Sequence, residues 1–283
     1  LTTCMGLGCN AVGVTGARII DSPRERLIAI LTNSFVPCNG RFPTMISIIT
    51  MFFIGKSTGA FSSIVGMIIM LSAVMLGIFM TFVSSKILSK TVLKGQPSSF
   101  TLELPPYRAP KIGNTIVRSI FDRTLYVLGR AVVVALPAGI VIWLLANINV
   151  SDISLLRYIT DFFDPFARLM GLDGVILTAF ILGFPANEIV IPIAMMAYTA
   201  SGELVPMDNL VELKEILIAN GWTWNTAICT IIFSLMHWPC STTCLTMLKE
   251  TKSWKWTLIG IVLPTICGIL ACMLITAISG LIV

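Results

Sequence analysis

Apolar residues in this chain gather into long unbroken runs instead of recurring at every second or every third to fourth position. Residues 60–83, 125–148 and 257–283 each supply the ~20 apolar residues that a helix needs to cross a hydrocarbon core. A bilayer offers no water to exposed backbone N–H and C=O groups, so only helices or a closed barrel can cross it. Barrel strands alternate apolar and polar residues, and these runs do not. The pattern predicts an all-α fold, a polytopic membrane helical bundle.

Other apolar stretches are interrupted, and the interruptions form two similar sets. Residues 174–200, "GVILTAFILGFPANEIVIPIAMMAYTA", are long enough to span, but Pro185 and Pro192 remove backbone donors and end or kink the helix. Glu188 stands at the break. An ionisable side chain there costs at least ~3 kcal/mol and marks either a functional site or a carboxylate neutralised by an interior partner such as Arg130. The opening "GLGCNAVGV" (residues 6–14) is equally poor helix: glycine costs about 1 kcal/mol relative to alanine, and an asparagine amide needs partners away from water. Leu7-Gly8-Cys9-Asn10-Ala11-Val12 aligns with Phe184-Pro185-Ala186-Asn187-Glu188-Ile189, each with a helix breaker, a small residue and then Asn. Downstream of each lies a short apolar run ending in Pro-Cys, "ILTNSFVPCNGR" and "IIFSLMHWPCSTT", with 27 residues from Asn10 to Pro37 and 52 from Asn187 to Pro239.

Two interrupted segments in corresponding halves point to a transporter site near the bilayer midplane. They predict a first repeat over 1–83, a connector over 84–124, a span with an external segment over 125–173, a second repeat over 174–256 and a terminal helix over 257–283.

Composition agrees with a membrane solvent: 56% hydrophobic and 12% charged residues with a mean hydropathy of +0.92, against about 25% charged in soluble domains. The net charge of +5 does not call for a nucleic-acid partner, because seven of the 19 Lys and Arg lie within 86–123. Basic residues near spans stay in the cytoplasm, which places 84–123 inside. It places the acidic 149–173 (Asp152, Asp161, Asp164, Asp173 against Arg157 and Arg168) outside. Residues 201–222 are acidic and 249–255 basic, and simple crossings cannot satisfy both, so a re-entrant run is expected. The chain begins at Leu1 with no basic-plus-apolar leader, which reads as a piece of a longer protein.

The chemistry available at the breaks is soft. Cys9, Asn10 and Cys38 in one half, and Asn187, Glu188, His237, Cys240 and Cys244 in the other, offer thiolate, amide, imidazole and carboxylate. Such donors favour first-row transition metals over Mg²⁺ or Ca²⁺, which take oxygen. There is no CxxC or HExxH, so no closed structural zinc signature is present. Cys240 and Cys244 share a helix face at i, i+4. His237, the only histidine, is either a ligand or an interfacial residue beside Trp238. Cys229, Cys267 and Cys272 lie within apolar runs and read as small buried hydrophobes.

These residues resemble a known family. "GLGCNAVGV…ARIIDSPRERLIAILTNSFVPCNGRFP" is similar to the first Gate region of the prokaryotic ferrous iron transport protein B (FeoB) family. "LPPYRAPKIGNTIVRSIFDRTLYVLGRA" resembles its inter-Gate connector, and "HWPCSTTCLTMLKETKSWKWT" the close of its second Gate. The resemblance implies uptake of Fe²⁺ across the bacterial inner membrane by two Gate-type repeats. It carries over proposed iron-pathway roles to Cys9, Cys38 and Cys240. It also implies a GTPase domain on the same polypeptide, using GTP and Mg²⁺, together with small accessory proteins and homo-oligomers as partners besides the lipid bilayer. No GxxxxGK[ST] phosphate loop occurs in this chain, so no enzymatic activity is expected of it. Asn187 departs from the lysine found in many relatives, which leaves the role of Glu188 open.

The connector reads as extended over Pro105, Pro106 and Pro110. Asn114 then caps a helix with an apolar stripe (Ile116, Ile120, Phe121) and a basic face (Lys111, Arg118, Arg123) suited to the interface. Arg130 is close enough to the start of its span to snorkel to headgroups. Two other readings remain open: a carrier of a small organic solute such as a nucleoside, and a membrane anchor or regulatory partner that transports nothing.

Overall fold

Glycine and proline cut the first third of the chain into short helices. A computed structural model describes residues 2–54, 60–94, 113, 126–150, 153–199 and 210–282. Helices α1 (Thr2–Gly8) and α2 (Asn10–Gly16) are separated by a single extended residue, Cys9. In α3 (Pro23–Thr32), proline starts the helix and the Ser22 hydroxyl accepts from the Glu25 N–H at 3.4 Å, a normal N-terminal cap. A 3-10 turn, Asn33–Phe35, passes the chain into extended Val36. After Pro37 and Cys38 come α4 (Phe42–Ile49) and a π-helical turn, Thr50–Ile54. The long α5 (Ala60–Lys90) follows, its 31 residues reaching ~46 Å at 1.5 Å per residue.

The second part begins with α6 (Tyr126–Asn147) and a two-residue antiparallel pair, Asn149–Val150 against Ile153–Ser154. Helices α7 (Leu155–Leu169) and α8 (Gly174–Leu182) meet at 110°. Three local features turn this corner. Gly171 takes φ +67°, a left-handed conformation that L side chains avoid. The Asp173 carboxylate accepts from the Ile176 N–H at 2.7 Å, and Asp164 from the Gly174 N–H at 3.0 Å. A Cβ at Gly174 would sit 2.1 Å from the Thr160 carbonyl oxygen, so the two helices cross where only glycine fits. After a 3-10 turn, Asn187–Ile189, come α9 (Val190–Thr199), α10 (Leu210–Ala219), α11 (Trp224–Met236), α12 (Ser241–Thr251) and α13 (Trp254–Ile282).

The core lies among the short helices. Ile176, Phe180, Ile191, Ile193, Met195 and Phe233 are all buried there. The Asp173 carboxylate also accepts from the Tyr198 hydroxyl and the Trp222 indole, closing one end of α8 and α9. By contrast α5 and α13 stand at the edge: 17% and 22% of their apolar stretches are buried, against 67% for the α11–α12 run. Exposed Met67, Leu71, Phe79 and Phe82 on α5 and Leu258, Leu270 and Leu274 on α13 form apolar faces suited to lipid.

The fold is therefore all-α, a membrane-type helical bundle. Two expected spans, 60–83 and 257–283, are helices long and apolar enough to cross. The expected 125–148 span is a continuous helix of 22 residues over Tyr126–Asn147. The expected re-entrant run finds its counterpart in the bent α7–α8 pair, a broken span or a re-entrant loop. A third span-length run, Trp224–Thr251, crosses the break at Pro239. The 149–173 segment, read as an external stretch, carries the amphipathic α7, whose Leu156 and Ala167 are buried. Most of the connector helix (Lys111, Asn114, Ile116, Arg118, Ile120, Phe121, Arg123), the Arg130 side chain and residues 201–209 lie outside the described residues.

Candidate functional site: two broken elements and the contact between them

The breaks aligned by sequence have the same backbone geometry. Cys9 enters α2 with φ −154°, ψ 125°, and Ala186 enters the Asn187 turn with φ −151°, ψ 116°. Each break leaves a helix-end carbonyl without an intrahelical donor, and in each the residue after Pro-Cys supplies one. The Asn39 N–H donates to the Gly8 carbonyl at 3.3 Å, and the Ser241 N–H to the Phe184 carbonyl at 2.9 Å. The Ser241 hydroxyl adds a contact to the Pro185 carbonyl at 3.5 Å. In both halves, then, the Pro-Cys corner is fastened to the broken helix.

The side chain after each extended residue is an asparagine that turns inward. Asn10 is 2% exposed, and with its amide nitrogen facing inward it donates to the Gly6 and Val36 carbonyls, both at 3.1 Å. Its own carbonyl accepts from the Asn33 amide at 2.8 Å. The opening glycines make room for this: a Cβ at Gly6 or Gly13 would lie 2.8 or 2.4 Å from the Asn33 Oδ1. In the other half Asn187 is buried and its Oδ1 lies 3.3 Å from the His237 Nε2. The His237 Nδ1 faces the Phe233 and Ser234 carbonyls at 3.1 and 2.9 Å, so it carries a proton. Phe180, Phe233 and Trp238 surround the ring. With the proton on Nδ1, Nε2 of the neutral ring is an acceptor, and it pairs with Asn187 when the amide turns its nitrogen toward the ring.

The eight sequence-predicted ligands are not gathered into one shell. Among the described residues no group of three or more His, Cys, Asp and Glu side chains is close enough to hold a metal ion. Cys240, at the start of α12, lies within electrostatic reach of Cys38 and Cys9, and its thiol is 3.3 Å from the Thr243 hydroxyl. Cys9 is exposed and Cys38 buried. Cys244 is buried one turn further along α12 and donates to the Pro239 carbonyl at 3.4 Å. Glu188 is exposed, because the 3-10 turn that buries Asn187 points the next side chain outward. It has no ion pair or hydrogen bond among the described residues. Cys229 and Cys272 are buried where α11 meets α13, with the Cys272 thiol donating to the Cys229 carbonyl at 3.4 Å.

Arg41 is a central residue that the sequence does not single out. It is fully buried, and its guanidinium joins the two halves. Nη1 donates to the Ser34 carbonyl at 2.9 Å and the Leu235 carbonyl at 2.7 Å. Nη2 donates to the His237 and Trp238 carbonyls at 3.0 and 3.3 Å. A signal for it does exist in the sequence: a lone cation three residues past a Pro-Cys corner and just before an apolar run is an intramembrane charge, the same criterion that singles out Glu188. A second bridge closes the rim, where Arg18 pairs with Glu250 on α12 at 2.6 Å.

Comparison with known proteins gives this geometry a lineage. Residues 70–122 match the family described as "Ferrous iron transport protein B C terminus", and residues 128–254 match the Gate family described as "Nucleoside recognition". The chain is 32% identical over 270 residues to a protein named Fe(2+) transporter FeoB from Staphylococcus aureus, covering 93% of this chain and 38% of that protein. It is 27% identical to the protein of the same name from Methanocaldococcus jannaschii, covering 99% of this chain and 41% of the relative. A Porphyromonas gingivalis protein named as a fusion of Fe(2+) transport protein A and FeoB is 23% identical over 91% of this chain. The chain thus spans about two-fifths of the length of the curated relatives it matches. No solved structure matches it. On these matches, the chain belongs to the ferrous iron transport protein B family and corresponds to its C-terminal membrane region.

Proposed function

We propose that this chain forms the membrane pathway of an Fe²⁺ uptake transporter of the cytoplasmic membrane, with the ion passing between the two broken elements. The observation that carries this reading is the pair of matching breaks, each fastened to a Pro-Cys corner and joined to the other through Arg41. Cys9, Cys38 and Cys240 supply the soft ligands that Fe²⁺ accepts and Na⁺ does not. They are dispersed in this arrangement, so they act as successive contacts, or converge only when the halves shift. Transport needs such weak, sequential binding: an ion held by a full shell of thiolates would not leave.

In this reading the chain is not itself an enzyme. Coupling to GTP hydrolysis comes from a further domain of the full-length protein, and small accessory proteins act alongside it. Asn10 and Asn187 hold the unwound backbone in shape and His237 holds Asn187, while Glu188 stands outside the ion's path.

The description "Nucleoside recognition" attached to the Gate match supports a second reading, a carrier of a small organic solute. Reconstituting the full-length protein in liposomes separates the two. Under reducing conditions with GTP, labelled Fe²⁺ accumulates in excess of protein-free vesicles and labelled nucleoside does not. Nucleoside accumulation without Fe²⁺ uptake would reverse the assignment.

A further inference from the structure

A buried arginine normally meets a carboxylate, since desolvating a lone charge is expensive. Arg41 has no Asp or Glu at ion-pair distance among the described residues, and the thiols of Cys38 and Cys240 lie within electrostatic reach of it. Its neutralisation falls to backbone oxygens instead. Leu235 belongs to the last turn of α11, where the helix dipole is negative. His237 and Trp238 lie in the extended stretch leading to Pro239 and Cys240, and Ser34 lies in the 3-10 turn before Pro37 and Cys38. Four carbonyl oxygens from both halves therefore converge on one cation.

A second observation concerns what is left unpaired. Native proteins pair nearly all their buried polar atoms. The described buried side-chain atoms that lack a partner are Asn33 Oδ1, Ser34 Oγ, Arg41 Nε and Thr44 Oγ1. All four belong to one segment, 33–44, wrapped around the first Pro-Cys corner. The guanidinium does not use its full donor set, and hydroxyl and amide oxygens of the same segment lack partners.

We propose that the Ser34, Leu235, His237 and Trp238 carbonyls form a cation site between the two halves, that the Arg41 guanidinium occupies it in the closed state, and that the transported divalent cation enters it when Arg41 withdraws. The proposal rests on the permeation reading above. The carbonyls supply oxygen ligands, with the Ser34 and Thr44 hydroxyls close by in the chain. While the guanidinium is in place its charge repels a second cation, so the pathway is closed to ions. Its withdrawal removes the three hydrogen bonds, to Leu235, His237 and Trp238, by which it joins the halves. Arg41 acts in this scheme as a tethered occupant of the site and not as a ligand to the metal.

The test measures Fe²⁺ entry into liposomes carrying the full-length protein, under reducing conditions with and without GTP, for the unaltered protein, Arg41→Gln and Arg41→Lys. Arg41→Gln retains hydrogen-bonding capacity and loses the charge, so nucleotide-independent entry rises about fivefold or more. Arg41→Lys keeps the charge but loses the forked geometry, so its leak is smaller. Unaltered protein that transports with GTP, combined with an Arg41→Gln variant that is folded and no leakier, overturns the cation-site proposal and leaves the permeation reading standing. If the unaltered protein moves no Fe²⁺ under either condition, both fall. Should Arg41→Gln fail to fold, alkylation of Cys240 in the unaltered protein decides. A cationic methanethiosulfonate reacts about fivefold more slowly than a neutral one of equal size, each normalised to a free thiol, because the guanidinium repels it; equal rates overturn the proposal.

Discussion

Fe²⁺ uptake by the full-length protein falls about tenfold or more when Cys9, Cys38 and Cys240 are all replaced by serine, the loss of roughly 1.4 kcal/mol of ion stabilisation along the path. Serine matches cysteine in shape but offers a hard, neutral oxygen, so the substitution removes soft-ligand chemistry with little change in volume. Cys38 is buried and Cys240 partly so, and a hydroxyl placed there without a partner costs about 1–3 kcal/mol. The corresponding alanine triple variant controls for that cost. Loss of uptake in both variants, with unchanged amounts of folded protein, supports the thiols as ion contacts. Undiminished uptake in either one removes them from the pathway.

The largest effect on the fold is expected at Gly174. A Cβ added there would meet the Thr160 carbonyl oxygen at 2.1 Å and the Asp164 nitrogen at 2.9 Å, both backbone atoms of α7. No rotamer change relieves a clash with backbone, so Gly174→Val has to push α7 and α8 apart at the 110° corner. Overpacking costs about 1–3 kcal/mol where side chains can adjust, and more is expected here. The clash is set by the backbone, so Gly174→Ala already lowers the thermal midpoint of the purified protein and Gly174→Val prevents its accumulation in the membrane. An alanine variant as stable as the unaltered protein would mean that the corner is looser than described. Gly8, where an added Cβ would have no neighbour within 4 Å, provides the contrast and tolerates alanine.

What is legible in the sequence is what depends on local chemistry. A run of some twenty apolar residues has few alternatives to a crossing helix, and α5 and α13 form where their runs lie. The breaks are legible because glycine and proline act on the backbone at their own positions; Cys9 and Ala186, paired by the aligned segments, are both extended, with φ −154° and −151° and ψ 125° and 116°. The amides of Asn10 and Asn187 need partners away from water, and each finds them.

What is not legible depends on contacts between distant segments. Arg41 can be suspected as an intramembrane charge from its place before an apolar run, but not what it meets. Its acceptors at Leu235, His237 and Trp238 are 194 to 197 residues away, and no local signal announces them. Glu188 is the opposite case. Its charge draws attention, yet the direction of a side chain at a 3-10 turn is fixed by packing, and it faces outward. His237 shares the break with the cysteines, but its ring is held by Phe233, Ser234 and Asn187. The acidic 149–173 stretch hides α7 because its charges lie on one face of a helix whose other face packs on α8.

The central claim is that the two broken elements line one cation route. It is tested most directly by thiol alkylation of the full-length protein in membranes, with and without Fe²⁺ under reducing conditions, read residue by residue by mass spectrometry. The account predicts that Fe²⁺ slows modification of Cys9 and Cys240 together, one from each half, while Cys267 on α13 is unaffected. Fe²⁺ that protects neither thiol, or that protects Cys267 equally, would contradict it.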